Sequence, residues 1–333
     1  MEGDSDRLHP ILHRLREIID PCVRPGFSRR RAGNDSHVQT REIGNDQTGR
    51  VRVGAIGLGL MTFDQTGTQP REQLADTVRA ALDAGVTLFD TADAYGPGDE
   101  LGADAQGANE SLIAGLLDEL GVRDQVFLAT KGGHVRTEGG AWGLDSSAGH
   151  LHAAVDASLK RLGVDQIDLW QHHRPDPNVG YSDVLGTLEE IHRTGKVRMI
   201  GLSNADPDQI REAHKVLGSA LVSVQNQFSP AFRSSRPEID VCEELGLAFL
   251  PWSPLGGLSD AKGLAEKHPA FKEVADARGV SAQQVALAWE LAQSPVVIPI
   301  PGAKRPTSII DSAAAADLEL TADEIARLDA DGS

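Results

Sequence analysis

The sequence predicts an α/β fold: a (β/α)8 TIM barrel with an N-terminal β-hairpin and a C-terminal helix. Two observations carry that expectation. Eight short apolar runs recur along the chain with amphipathic stretches between them, and eight such units suit the roughly 250 residues of a closed parallel barrel. Polar residues suited to chemistry also gather just after those runs, at the strand ends where a barrel's variable loops meet above a packed core.

Taken in order, residues 1–37 stand apart from the rest. They hold Arg29-Arg30-Arg31, several His and Pro, and a short amphipathic patch around Ile11, Leu12, Leu15, Ile18 and Ile19, which together suggest a flexible N-terminal extension. The barrel is expected over 38–333. Residues 41–43 and 50–53 flank a turn-rich 44–49 and predict the hairpin. Strands are expected at 55–59, 86–89, 126–129, 167–170, 197–202, 222–224, 247–250 and 296–300, all short apolar runs of the buried parallel type. Helical spacing marks 73–84, 150–162, 184–194, 207–217, 239–245, 282–292 and 307–315. Thr321 followed by Glu324 is a capping-box pattern that opens the terminal helix. Two loops are longer than a barrel needs and are candidate pocket walls: 132–147, with His134, Gly139-Gly140 and Trp142, and 228–237, with Phe232, Arg233 and Arg236.

Composition narrows the function. The formal net charge is −17 and no basic stripe lies beyond the N-terminal cluster, so nucleic acid is not an expected partner. Only Cys22 and Cys242 are present, in unlike contexts, which suggests neither a disulfide framework nor a thiolate metal site. No apolar run approaches the ~20 residues that span a bilayer, and the N-terminus lacks the apolar core of a secretory signal. A cytoplasmic protein acting on a small molecule is the expectation, with the oligomeric state left open.

The residues leaving the strand candidates define a site. The second strand ends in Asp90 with Tyr95 beyond it, within Phe89-Asp90-Thr91-Ala92-Asp93-Ala94-Tyr95-Gly96. The third ends in Lys131, the fourth in His172-His173, the fifth in Ser203-Asn204 and the sixth in Gln225. The seventh ends in Trp252-Ser253 and the eighth in Gly302, with Lys304-Arg305 following. A phenol is a poor acid at its ordinary pKa of about 10, and a neighbouring ammonium such as Lys131 is expected to lower it. Asp90 would pair with that ammonium, and the imidazole of His172 or His173 would align a carbonyl oxygen against the phenol. Such a set supplies a proton but no electrons, so a redox cofactor is implied. Asp93 has no evident partner at a strand end and is left to loop hydrogen bonding.

From about Arg41 onward the chain resembles the aldo-keto reductases. The motifs that carry the likeness are Ile56-Gly57-Leu58-Gly59, the stretch from Phe89 to Gly96, Ala129-Thr130-Lys131 and Asp168-Leu169-Trp170-Gln171-His172-His173-Arg174-Pro175. Further on come Gly201-Leu202-Ser203-Asn204, Val224-Gln225-Asn226, Pro251-Trp252-Ser253-Pro254-Leu255 and Ile300-Pro301-Gly302-Ala303-Lys304. The resemblance implies a catalytic tetrad of Asp90, Tyr95, Lys131 and His173, with His172 on the other side of its strand. It also implies NADP(H) extended across the barrel mouth and an aldehyde, ketone or alcohol as substrate. Ser203, Asn204 and Gln225 would hold the nicotinamide carboxamide, Trp252 beside Ser253 would stack on the ring, and Leu255 with Gly257 would lie along the pyrophosphate. Lys304 and Arg305 would take the adenosine 2′-phosphate, with Ser308 and Ser312 toward the adenine. Gly59, Met61 and Gly302 complete the implied cofactor-binding set. Ser308 and Asp311-Ser312 depart from the family's usual residues on the adenine side.

Other readings are weaker. The glycines of 54–59 run through a strand rather than between strand and helix, against a Rossmann fingerprint. Adjacent histidines on a strand face opposite ways and no carboxylate or Cys set joins them, so no metal is expected. An NADPH-binding regulatory or redox-sensing subunit resembling potassium-channel β-subunits is the alternative function, and a Schiff-base aldolase using Lys131 is a third.

Overall fold

The computed structural model describes residues 39–63, 67–97, 105–137, 141–257 and 261–331. The expected extension over 1–37, Gly98 of the turn after Tyr95, and Gly139-Gly140 lie outside the described residues. Strands β1 (Thr40–Ile43) and β2 (Val51–Gly54) pair antiparallel as the expected hairpin, with Ile43 opposite Val51.

Seven strands then form one parallel sheet: β3 (Leu58–Gly59), β4 (Leu88–Asp90), β5 (Phe127–Gly132), β8 (Ile167–His172), β9 (Val197–Ser203), β10 (Leu221–Gln225) and β11 (Ala248–Phe249). They neighbour one another in sequence order, and the short antiparallel pair β6 (His134–Arg136) and β7 (Trp142–Leu144), like the β1–β2 hairpin, stands outside that series. The loop expected over 132–147 is therefore largely a hairpin.

The expected strand at 296–300 is not regular, for a chemical reason. Pro299 and Pro301 have no N–H to donate. The segment nonetheless bridges both edges of the sheet. Phe249 N donates to Val296 O and Ile298 N to Phe249 O on one side, while Gly57 N and Gly59 N donate to Pro299 O and Pro301 O on the other. The seam is tight, since a Cβ at Gly59 would lie 2.7 Å from Ile300 O. The expected strand over 55–59 is likewise regular only at its end, because the prolines opposite it accept from Gly57 and Gly59 and have no N–H to return. This arrangement fits a (β/α)8 barrel.

Between the strands run α1 (Arg71–Asp83), α2 (Ala108–Leu120), α3 (Ala148–Leu162), α4 (Tyr181–Arg193), α5 (Pro207–Leu217), α6 (Arg236–Leu245), α7 (Leu264–Lys267), α8 (Pro269–Arg278), α9 (Ala282–Gln293), α10 (Pro306–Ala314) and α11 (Ala322–Ala330). Local chemistry sets several starts. Asp206 caps α5 in a capping box with Gln209 and Pro207 follows in the first turn; Thr321 and Glu324 do the same for α11. Helices α2, α7 and α8 go beyond the segments read from the sequence. Among the described residues no helix is long and apolar enough to cross a membrane.

Alternation along the strands splits the core in two. Val86, Phe89, Leu128, Trp170, Ile200 and Val224 belong to a large cluster with the helices. Leu88, Phe127, Ala129, Leu169, Met199, Val222, Leu250 and Ile298 form a second, joined by Ile43 and Val53 of the hairpin. The second cluster is a packed interior of strand residues, as barrels of this size have.

Candidate active site

Period-two alternation carries each strand from that packed interior to the site. Two residues after Leu88 comes Asp90; after Ala129 comes Lys131; after Leu169 come Gln171 and then His173; after Met199 come Gly201 and Ser203. The polar residues therefore stack above the apolar layer on the same face of their strands.

Lys131 is the centre. Its ammonium is fully buried and spends all three protons: Nζ donates to Asp90 Oδ2 at 2.5 Å, to Thr91 O at 2.9 Å and to Tyr95 Oη at 3.3 Å. Asp90 is also buried, and its Oδ1 accepts from Gln171 Nε2 and Gln225 Nε2, each at 2.9 Å. The Asp90 carboxylate thus receives three N–H donors, as a buried carboxylate requires. The loop behind is pinned by Thr91 Oγ1 donating to Asn109 Oδ1 and by Asn109 Nδ2 donating to Leu60 O.

The electrostatics depart from the sequence expectation at Tyr95. Burial holds the phenol above its ordinary value; Lys131 pulls down, but Asp90 and Asp93 add to the rise. The expected lowering fails because the phenol is out of water and the ammonium is already paired with Asp90. Burial draws Lys131 down, yet Asp90 and Tyr95 outweigh it and the net shift is upward. His173 is pushed well below its usual range by burial and by the Lys131 charge, with His134, His172 and Arg174 acting the same way. Its imidazole is neutral at pH 7.

His173 packs edge-on to Tyr95, ring centroids 5.7 Å apart, and to His134 at 4.2 Å. Its backbone is held on two sides, N–H to Gly132 O and carbonyl to Asn204 Nδ2, while its Nδ1 is buried without a partner. His172 turns away and meets Ser146 Oγ through Nε2 at 2.8 Å. The β6–β7 hairpin brings His134 and Trp142 over the site, Trp142 lying 6.5 Å from Tyr95 and exposed on its other side.

The residues expected to hold a cofactor surround this centre in part. Gly59 pairs with Asp90 on one side and bridges Gly302 on the other, and half-exposed Met61 follows Leu60, whose N–H donates to Asp90 O. Ser203 Oγ donates to Gln225 O, and Asn204 Nδ2 donates to Ser203 Oγ. Trp252 is joined to Asn226 through its backbone N–H, and its Nε1 is buried with no partner. Asn204 and Ser253 sit in left-handed backbone at φ 58° and 52°, uncommon for residues with a Cβ and typical of functional strain. Half-buried Leu255 and Gly257 occupy the loop that follows. Exposed Lys304 and Arg305 precede α10, which carries half-buried Ser308 and buried Ser312; among the described residues neither cation has a carboxylate partner. Two cations without a carboxylate partner among the described residues, at a helix N-terminus, are donors of the kind that suit a phosphate group.

Other expectations are corrected. Arg233 bonds Leu328 O and Asp329 O and stacks on Trp289, and Arg236 bonds Asp240 and Gln293, so both pack the structure rather than line a pocket. Asp311 accepts from Ser281 and Gln284 of the neighbouring helix start. Asp93 makes the loop hydrogen bonds expected of it, to Gln106 and the Ala94 backbone, but it is also buried beside Glu110 with Oδ1 lacking a partner, and burial with the Glu110 charge raises its carboxyl well above the usual range despite Arg161. Gln171 went unassigned on sequence alone, although it lies in phase with Leu169 and His173, the signal that would have found it.

Comparison with known proteins follows the same residues. The profile of the Aldo/keto reductase family matches residues 55–331. An uncharacterized oxidoreductase of Schizosaccharomyces pombe is 33% identical over 301 residues, covering 89% of this chain and 92% of that protein. The 6-dehydroglucose reductase of Novosphingobium aromaticivorans is 37% identical over 274 residues, covering 80% and 87%. A crystal structure of an aldo-keto reductase from Klebsiella pneumoniae in complex with NADPH matches with TM-score 0.69 at 28% identity, covering 84% of this chain and 91% of that one.

Proposed function

The chain belongs to the aldo/keto reductase family, and on that premise we propose that it transfers a hydride between NADP(H) and an aldehyde or ketone, with Tyr95 as the proton donor in reduction and acceptor in the reverse alcohol oxidation. The observation that carries this reading is the buried Asp90–Lys131–Tyr95 hydrogen-bond chain with a neutral His173 against the phenol. NADPH, when bound, supplies the hydride. Tyr95 gives its proton to the developing alkoxide, and Lys131, donating to its oxygen, stabilises the phenolate left behind. Asp90 keeps the ammonium charged and in place. His173 holds the carbonyl oxygen toward the phenol as a neutral donor.

For the cofactor, the proposal gives Lys304 and Arg305 to the 2′-phosphate, with Ser308 and Ser312 toward the adenine and Leu255, Gly257 and Ser253 toward the pyrophosphate. Trp252 flanks the nicotinamide, and Gly59, Met61 and Gly302 border it. The amide protons of Asn204 and Gln225 are spent inside the protein, so their acceptor oxygens are what remain for a carboxamide N–H2. The complex of the Klebsiella relative with NADPH supports this choice of cofactor. The catalytic unit is a closed (β/α)8 barrel over 38–333, supported by the hydrogen bonds from 296–301 to both sheet edges.

The test is NADPH oxidation against a panel of aldehydes, ketones and sugars, with NADH run beside it. 6-Dehydroglucose heads the panel because the 37% identical relative is named for its reduction. Tyr95→Phe should lose about 10²- to 10⁴-fold in kcat while cofactor binding stays within about twofold. Near-full turnover by that variant would overturn the assignment, and tight NADPH binding without turnover of any carbonyl would favour the regulatory alternative.

A further inference from the structure

Gln171 lies on the floor of the site and has no part in the tetrad itself. It is fully buried and stands in register between Lys131 on β5 and Gly201 on β9. Its Nε2 donates to Asp90 Oδ1 at 2.9 Å, and its Oε1 accepts from Gln225 Nε2 at 3.2 Å. Gln225 Nε2 reaches the same Asp90 oxygen at 2.9 Å, so two amides and one carboxylate oxygen close a triangle. The opposite oxygen, Oδ2, is left for Lys131.

The neighbouring strand is shaped for this side chain. A Cβ at Gly201 would lie 2.8 Å from Gln171 Cγ and 2.6 Å from Ser223 Oγ, so any larger residue there collides with the amide's stem. A glycine in the interior of a buried strand otherwise weakens it. Room for Gln171 is what that glycine provides.

We propose that Gln171 is a positioning residue: with Gln225 it clamps Asp90 Oδ1, turns Oδ2 onto Lys131, and so sets the hydrogen bond that Lys131 gives to Tyr95. The inference rests on the reading of Tyr95 as the reacting acid. A buried carboxylate oxygen held by two amide donors is fixed in one orientation; with one of them lost it is freer to rotate, and its two oxygens then compete for the ammonium. Without Gln171, Oδ1 keeps only the Gln225 donor, so Asp90 draws harder on Lys131 and its own charge is less shielded. Both effects oppose ionisation of Tyr95, whose phenol already feels Asp90 in that direction. The groups facing Tyr95 are Asp90 and Lys131 from the strand ends, Asp93 from its own loop, His173 beyond β8 and, through His173, His134 of the hairpin. Changing Gln171 removes none of them.

The experiment uses the full chain labelled with ¹³Cζ-tyrosine. The protein has two tyrosines, Tyr95 and Tyr181, so a Tyr181→Phe background leaves one resonance. Gln171→Met keeps the volume and removes both hydrogen bonds. The Tyr95 titration midpoint is expected to rise by about 0.5 to 1 pH unit. In turnover, kcat is expected to fall roughly tenfold and its pH profile to move the same way, with the carbonyl KM and NADPH affinity within about twofold. A merely structural residue would lower the melting temperature without moving the midpoint. Gln171→Asn, which keeps an amide but shortens its reach, is read in the same way and stands in if the Met variant does not fold. A midpoint that stays within about 0.2 unit of the parent in both variants overturns the clamp. Because the midpoint is read on the free protein, it is independent of the activity assignment: full activity in Tyr95→Phe removes the acid role, and an unmoved midpoint removes the clamp.

Discussion

Replacing Lys131 with Met tests the centre of the site, because the aliphatic stem is kept and only the ammonium is lost. Lys131 is wholly buried and Asp90 nearly so, and their charged atoms are 2.5 Å apart. Removing one partner of a buried pair typically costs about 3–5 kcal/mol, since the remaining charge is stranded. Asp90 is not wholly stranded, because Gln171 and Gln225 still donate to Oδ1. Two other acceptors, Thr91 O and Tyr95 Oη, each lose a donor. The expected loss is therefore at the lower end, about 3 kcal/mol, which moves a urea midpoint by roughly 1 M at an m-value near 3 kcal/mol/M. Carbonyl reduction should fall about 10²- to 10⁴-fold in kcat. The double variant Asp90→Asn/Lys131→Met removes the stranded charge and should recover at least about 1 kcal/mol of the loss. Equilibrium unfolding in urea, followed by tryptophan fluorescence, measures each step. A Lys131→Met protein within about 1 kcal/mol of the parent, or a double variant no more stable than the single, would refute the reasoning.

Three further outcomes follow from groups elsewhere. Glu290 in α9 is fully buried with both carboxyl oxygens unpartnered, and burial raises it well above its usual 4.5. A raised native value contributes stability that is present below 4.5 and is lost as pH climbs through it, so Glu290→Leu should flatten that decline and raise the melting temperature at pH 8 by roughly 2–5 °C; melts at pH 5 and 8 decide it. His172 is moved from 6.5 to about 4 by burial, which outweighs Asp176. Its neutral form contributes stability present above 6.5 and lost as pH falls toward 4, a swing of roughly 3 kcal/mol, and His172→Gln should remove that share of the acid slope in urea titrations between pH 7 and 4. Lys304→Ala with Arg305→Ala should raise the NADPH KM roughly 10- to 100-fold and leave NADH within about threefold, since only the former carries the 2′-phosphate; paired steady-state assays separate the two.

Legibility followed the range of the interactions. Alternation of 2 along the strands and near 3.6 along the helices is written in neighbouring residues, so most elements were read within a few positions of their ends. The capping box at Thr321 and the Pro207 start are equally local. The irregular stretch at 296–300 was read as a strand because its apolar run was weighed above Pro299 and Pro301, whose missing N–H groups decide the pairing. Arg233 and Phe232 shared one loop and looked alike, but only Arg233 finds the carbonyls at the end of α11.

The sequence by itself determined the family, the strand ends and the residue types offered there, because motif and periodicity are properties of short segments. Only the tertiary structure decided which of those residues act on one another. Asp90 meets Lys131 41 positions away, Gln171 81 away and Gln225 135 away. Contacts at such separations depend on strand order and register, and they are what made Gln171 visible. They also reversed the direction expected for Tyr95: the sequence placed an ammonium beside the phenol, but the fold buried both and paired the ammonium with Asp90.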